Sequence, residues 1–382
     1  MKTKYLSLII AGLFFCATAC KKDRAVTPGN KVIDIANKNV DIYVAGYVQA
    51  ANNNFVAAYW KNGTLVKLGD SVNYSTANAI AVSGNDVYVV GTTWPINQNS
   101  SSYSNAVVWK NGVTIMLSPD STGSEANSIA IQGNDVYVVG YIHDLVSQTA
   151  NGTQYNAKPI YWKNGVPATL PNAGSITSVA VNGNDVYFGG SANSGSFKYS
   201  SSNNGKGYIA AYWKNGALAD TLNSPSSYLP GYSTQVNGIA VNSTGVYTVG
   251  VSGYNAPECW TGTVAAPITG GTTSSTVYSI AANGADVYVV GSTFFNGNNF
   301  VATYWKNNVP TPLAAGPSGD LSSASYATGI SLYGTDVYIA GEVSNNSAKF
   351  LGAYYWKNDV PTQLTNGGSK AAFVTGIAVV AQ

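Results

Sequence analysis

Residues 127–170 hold the passage on which the fold turns. Asn127-Ser128-Ile129-Ala130-Ile131 is followed by Gly133-Asn134-Asp135 and then Val136-Tyr137-Val138-Val139-Gly140-Tyr141. After an interval come Lys158-Pro159-Ile160-Tyr161-Trp162, Lys163-Asn164-Gly165 and Val166 through Leu170. β-Branched and aromatic residues fill the runs, and Gly and Asn separate them, which is the composition of short strands joined by tight hairpins. Four strands are expected: A at 127–131, B at 136–141, C at 158–162 and D at 166–170. Asn164-Gly165 suits a type I′ turn, in which both central residues need φ above zero.

The same passage recurs along the chain. Variants of Asp-Val-Tyr-Val-Val-Gly centre on Tyr43, Tyr88, Tyr137, Tyr187, Tyr247, Tyr288 and Tyr338, at intervals of 45, 49, 50, 60, 41 and 50 residues. Each copy is followed by a variant of Tyr-Trp-Lys-Asn-Gly, with tryptophans at 60, 109, 162, 213, 260, 305 and 356, so only Trp94 of the eight stands outside the repeat. Self-similarity at this period is the mark of units that bury their faces only against copies of themselves. Strand B runs such as Val87-Tyr88-Val89-Val90 do not alternate apolar with polar, as expected of a sheet covered on both sides. Strand A runs such as Gly238-Ile239-Ala240 and Gly329-Ile330-Ser331 set small residues around a branched one, as convergence on a narrow axis requires.

The order A to D, with tryptophan ending C, resembles the blade of a WD-type β-propeller. The wording of the repeats is similar to that of extracellular propellers on bacterial, Bacteroidetes-like surface lipoproteins, over residues 31–382. The resemblance implies an all-β, seven-bladed propeller of four-stranded antiparallel blades. There are seven copies of B, C and D but eight candidate A strands, because Phe373–Val380 repeats the A pattern with nothing after it. That strand is expected to complete the first blade and close the ring, with 32–36 as its competitor. Closure removes sheet edges.

The N-terminus carries an address. Lys2 and Lys4 precede an apolar stretch, Leu6 to Phe15, too short to cross a bilayer as a helix. Ala17-Thr18-Ala19-Cys20 resembles a bacterial lipobox, with Ala17 where Leu is usual. The resemblance implies a signal peptide over 1–20, lipidation of Cys20, a tether over 21–30 and a propeller over 31–382. The protein is then held at the cell envelope, in the outer membrane, through its N-terminal lipid. Cleavage of a plain secretory signal after Ala19 is the alternative. Three triplets, Asp70-Ser71-Val72, Asp120-Ser121-Thr122 and Asp220-Thr221-Leu222, resemble the O-glycosylation acceptor of the same bacteria.

Composition narrows the function. Of 382 residues 45% are hydrophobic and 9% charged, against about 25% charged in an ordinary soluble domain, which excludes disorder and coiled coil. Loss of Lys2 and Lys4 takes 19 basic residues to 17, equal to the 17 acidic ones, so no basic footprint for nucleic acid remains. Cys259 then lacks a partner, and His143 is the sole histidine, so neither a disulfide, a cysteine zinc site nor a His-rich metal centre is expected. No cofactor motif and no Gly-x-Ser-x-Gly elbow occurs, and no catalytic residue or cofactor is assigned.

The A–B and C–D turns are short and uniform, whereas the B–C and D–A connections are long and unlike. The longest are 92–105, 141–157, 191–208, 223–233 and 315–326. Binding residues concentrate on loops carried by a rigid scaffold, so the long-loop face is the candidate site for a glycan, peptide or protein. The candidates are Trp94, Tyr103, His143, Tyr155, Tyr199, Tyr232, Tyr254, Phe294 and Phe295, with Glu258 as the one carboxylate placed unexpectedly inside a strand. Asn78, Asn127, Thr177, Asn237, Thr328 and Thr375, at the start of six of the A strands, form either a polar ring at the channel mouth or hydrogen bonds between blades. The aspartates at 41, 86, 135, 185, 286 and 336 repeat, which points to folding through accepted backbone N–H bonds. The alternative function is a polysaccharide-active hydrolase or lyase using Asp144, Glu258, Asp320 or Glu342.

Overall fold

The structure, a computed structural model, describes residues 40–95, 104–118, 123–149, 152–196, 206–222, 234–252, 256–268, 275–295, 299–314, 324–344 and 350–382. Of 144–149, 152–155, 194–196, 206, 295, 350 and 351 it describes the backbone alone. The signal and tether segments, Cys20 and the competitor strand at 32–36 therefore lie outside the described residues.

All regular structure among these residues is strand, arranged as seven four-stranded sheets. In six of them the order is A-B-C-D along the chain. The remaining sheet places Ala371–Ala381 beside Val40–Gln49, then Phe55–Lys61 and Thr64–Lys67, so the last strand is strand A of blade 1, as its pattern predicts. The A strands follow one another around the axis, and Ala371–Ala381 packs on Tyr74–Ser83 of blade 2 to complete the circle. This is a seven-bladed propeller closed by its C-terminal strand.

The hairpin chemistry is visible in the dihedrals. Asn62, Asn111, Asn164 and Asn215 have φ of 49–51°, and the glycines after them 81–86°, so both central residues are left-handed, the type I′ signature. In the A–B turns only the first residue is left-handed, with Gly84, Gly133, Gly183, Gly284 and Gly334 at 56–59°. Neighbouring strands are antiparallel throughout, so both kinds of tight turn fall on one face and the B–C and D–A connections on the other.

The seven repeat tryptophans are at most 1% exposed, each between its own blade and the one before. Three of them donate Nε1–H to a carbonyl two or three residues past the preceding blade's D strand: Trp60 to Thr365, Trp213 to Pro171 and Trp356 to Ala314, at 2.7–2.9 Å. An indole delivers large apolar area and a donor from one side chain, which suits a dry joint with a polar end.

The repeated aspartates do not accept backbone N–H bonds. Asp86 accepts instead from Lys110 Nζ (2.8 Å), Asn111 Nδ2 (2.7 Å) and the Tyr88 hydroxyl (3.3 Å), while Asn111 Oδ1 takes the Val87 N–H. The lysine also lies over the Tyr88 ring, 5.0 Å from its centre. Asn is a better backbone acceptor here because it sits in the adjacent hairpin turn. The clasp recurs in blades 1, 3, 4, 6 and 7. Blade 5 has Gly245, Thr261 and Gly262 at its positions.

Strands B and C of blade 3 are longer than expected, Asp135–Thr149 and Gly152–Lys163, and pair through the interval predicted as a loop. The sequence there, Leu145-Val146-Ser147-Gln148-Thr149 and Thr153-Gln154-Tyr155, keeps the β-branched and aromatic content of a strand.

Candidate functional site

Every A strand carries a β-bulge at one shared position, where the unpaired residue is Asn78, Asn127, Thr177, Asn237, Tyr278, Thr328 or Thr375, and blade 4 has a second at Gly174. A glycine of strand B stands opposite the residue before the bulge. A Cβ on Gly46, Gly91, Gly140, Gly190, Gly250, Gly291 or Gly341 would fall 1.8–2.2 Å from a carbonyl oxygen of strand A. Only a residue without a side chain permits that approach, which is the reason for the glycine that ends every Tyr-Val-Val-Gly phrase.

The bulge turns its residue toward the axis, where all seven line a channel of about 300 Å³. Five of them also reach the next blade. Asn78 donates to the carbonyl of Ala126, Thr177 to Val236, Asn237 to Val277, Thr328 to Val374 and Thr375 to Ala77, at 2.6–3.1 Å. Each acceptor is the residue before the next bulge, so the polar ring and the inter-blade hydrogen bonds are one device. Tyr278, missed in the sequence because it is neither Asn nor Thr, takes the sixth-blade place and is 42% exposed.

The blades differ most in the A–B pair one layer nearer the long connections. Blades 2, 4 and 6 present Thr76 opposite Thr92, Ser175 opposite Ser191 and Thr276 opposite Ser292, and the last two pairs are hydrogen-bonded at 2.8 and 2.7 Å. Blade 5 presents Gln235 and Val251. Blade 3 has Glu125 opposite Tyr141, blade 7 Tyr326 opposite Glu342, and blade 1 Phe373 opposite Tyr47. Among the described residues, carboxyl and aromatic side chains occupy this layer only in blades 3, 7 and 1.

Around blade 1, Tyr47 stacks on Phe373 at 4.9 Å, Phe55 lies 5.0 Å from Tyr47, and Tyr74 of blade 2 meets Phe55 edge-on at 5.8 Å. Trp94, expected at the site, is the strand partner of Tyr74. From blade 6, Phe294, also expected, meets Phe300 edge-on at 5.3 Å, and Phe300 stacks on Tyr326 at 6.0 Å. One run includes Tyr47, which feels the Glu342 charge, and the other ends at Tyr326, the strand partner of Glu342. Its Oε1 accepts the Val374 N–H of blade 1 at 3.2 Å, and burial pushes its carboxyl up to about 7. Burial and then the Glu342 charge raise Tyr47; burial, Tyr278 and Glu342 raise Tyr326. Tyr47 and Tyr326 therefore lie near the Glu342 carboxyl, and Tyr278 lies near Tyr326.

In blade 3 the His143 ring lies 5.1 Å from that of Tyr141, whose phenol is raised by burial and by a hydrogen bond with Glu125. Glu258 is 1% exposed, in a strand of blade 5 on the same side as Trp260, which packs on blade 4. A 1%-exposed carboxylate inside the sheet stack does not face the long-loop surface. Tyr103, Tyr199, Tyr232, Tyr254 and Asp320 lie outside the described residues, as do the side chains of Asp144, Tyr155 and Phe295. Of the glycosylation-like triplets, Asp70 Oδ1 caps its own turn by accepting Val72 and Asn73 N–H, and Asp220 Oδ1 accepts Thr221 N–H.

No family model matches the chain, and no curated protein matches it in sequence. Solved structures do resemble it in shape. A Mycobacterium tuberculosis puromycin-hydrolyzing peptidase superposes with a TM-score of 0.51 at 11% identity, over 85% of this chain and 51% of that one. The Pyrococcus horikoshii acylaminoacyl peptidase gives 0.47 at 12% identity, over 86% and 50%. The β-propeller domain of the Trilobed protease from Pyrococcus furiosus, described as an open velcro topology, gives 0.37 at 11% identity, over 76% and 98%. This chain spans about half the length of the two peptidases. At such identities the likeness extends to the fold alone, and the chain has the β-propeller fold.

Proposed function

We propose that this protein is a non-catalytic binding module, held at the cell envelope by lipid on Cys20, that recognises a glycan, peptide or protein partner on its long-connection face. The observation that carries this reading is the segregation of the two faces. One is occupied by near-identical turn clasps, and toward the other lie two runs of rings, Tyr74, Phe55, Tyr47 and Phe373 with Trp94 paired to Tyr74, and Phe294, Phe300 and Tyr326. Flat rings among hydroxyl and amide groups recognise sugar faces and apolar side chains without chemistry. A near-neutral formal charge supports short-range fit over long-range steering.

An acid-catalysed hydrolase is the second reading, favoured by the raised Glu342 carboxyl. Paired-carboxylate hydrolysis needs a second carboxylate close by. Only burial and the Val374 N–H act on Glu342 among the described residues. Glycan and peptide arrays with a parallel turnover assay test the choice. Binding that falls on Trp94→Ala, with no product formed, supports recognition; product formation abolished by Glu342→Gln would overturn it. Release of the protein by a lipoprotein-specific lipase, lost in Cys20→Ser, tests the anchor.

A further inference from the structure

Glu342 differs from the six turn aspartates in what surrounds it. Each of those is paired with a lysine at 2.7–3.1 Å. Among the described residues no lysine or arginine pairs with Glu342, whose one donor is a backbone N–H. Its neighbours are phenols: Tyr326 is its strand partner and Tyr47 of blade 1 feels its charge, while Tyr278, near Tyr326, projects into the channel with 42% of its surface exposed. The Val374 that binds the carboxyl precedes Thr375, which lines the same channel. A half-buried carboxylate and aromatic faces next to the channel, without a resident cation among the described residues, form the chemistry that receives an ammonium group through a charge-assisted hydrogen bond and cation–π attraction.

We infer that the channel mouth between blades 6, 7 and 1 is a receptor for a protonated primary amine, with Glu342 as its counter-ion and the rings of Tyr278 and Tyr326 beside it. The inference rests on the reading of this face as a binding surface and narrows its ligand. A neutral sugar or apolar side chain would use the rings but leave the carboxylate unanswered, at the cost of a half-buried charge. Tyr326 on the same sheet, Tyr47 on blade 1 and Ala353 on strand C neighbour the carboxyl, and among the described residues no charged group accompanies them. Glu342 is thus the group that titrates near neutrality, and amine binding is expected to tighten as pH rises from 5.5 to 8.

The experiment is calorimetric titration of the purified protein with 1,5-diaminopentane and glucosamine, against their neutral counterparts 1,5-pentanediol and N-acetylglucosamine. Both amines should bind saturably and the neutral partners at least about tenfold more weakly. Glu342→Gln, which keeps an acceptor for the Val374 N–H, should erase that preference, and Tyr278→Ala should weaken the amines several-fold, with both variants melting cooperatively. Binding by glucosamine alone would identify an amino sugar, and by both amines a general ammonium site; either supports the inference. No amine binding, equal binding of the neutral partners, or a preference that survives Glu342→Gln would overturn it. Array ligands that lack an amine and depend on Trp94 would leave the binding face standing while this inference falls.

Discussion

The Thr375 hydroxyl donates a 2.9 Å hydrogen bond to the carbonyl of Ala77, joining positions 298 residues apart in the chain. It is the same bond that Thr328 makes to Val374 and Thr177 to Val236, so the seam between the two ends of the propeller is built like its other joints. Thr375→Val keeps the shape and leaves the Ala77 carbonyl without its donor, which should cost about 1–2 kcal/mol. Deleting residues 371–382 removes the whole A strand of blade 1 and should abolish the cooperative transition. Urea unfolding followed by tryptophan fluorescence reads both, and an unchanged curve for the deletion would refute closure.

The strand B glycines should be among the least replaceable residues in the protein. In Gly91→Ala the new Cβ would fall 1.9 Å from the Thr76 carbonyl oxygen, a backbone atom that cannot swing aside. The bulge has to open, at about 3 kcal/mol or more. Gly112→Ala meets no atom within 4 Å and is strained only by its φ of 82°, so the loss should be smaller. Comparing the two melting temperatures separates crowding from conformational strain.

Acid should loosen the turn clasps. Lys61 and then Asn62 hold the Asp41 carboxyl well below the usual range, and Lys110 does the same for Asp86. A carboxyl lowered in the folded state stabilises above its ordinary value, about 4, and that contribution is lost as pH falls below it. The urea midpoint should therefore drop between about pH 4 and 2, by less in Asp41→Asn than in the parent chain. The aspartates of blades 2, 3, 4 and 6 are exposed, so 1 M salt should weaken the dependence.

Glu342 should act in the opposite sense. Burial pushes its carboxyl up to about 7, so ionisation favours the unfolded chain as pH rises from about 4.5 through 7, and the penalty is constant above. Glu342→Gln should be neutral at pH 4 and more stable than the parent at pH 8, by up to about 3 kcal/mol. Chemical denaturation at the two pH values checks the sign. Equal stabilisation at both would mean that the carboxyl is not held neutral by its surroundings.

Cys259 is 8% exposed and burial pushes its thiol up to about 12, so the thiolate that attacks disulfide reagents is scarce in the folded protein. Ellman's reagent should modify it only as the chain unfolds. The rate against urea concentration then reports the opening of blade 5, the blade without a turn clasp.

How much of this was legible in the residues differs from place to place. Tyr137, Trp162 and Asn164-Gly165 announce strand, buried indole and hairpin because each depends on neighbours close in sequence or on a repeat that restates it seven times. The eighth A pattern at Phe373–Val380 discloses ring closure by arithmetic. Trp94 and Phe294 could be picked out because they stand apart from the repeat. Glu342 stands out as a spare carboxylate, but nothing nearby in sequence marks Tyr47 or Tyr326 as its company. Each belongs to an ordinary strand, and only the bulges and the circular order of the blades bring them together. Glu258 misled because a charged residue in a strand reads the same whether its face meets solvent or the next blade.

The amino-acid sequence by itself determined the number of blades, the hairpins, the tryptophan joints and the closing strand, since local propensity and repetition are properties of the linear chain. Tertiary structure alone decided which residues meet at the channel mouth, because those contacts join strands tens to hundreds of residues apart. It also decided that the Asn or Thr of five A strands serves the channel and the next blade at once, a consequence of the shared bulge that turns the residue toward the axis.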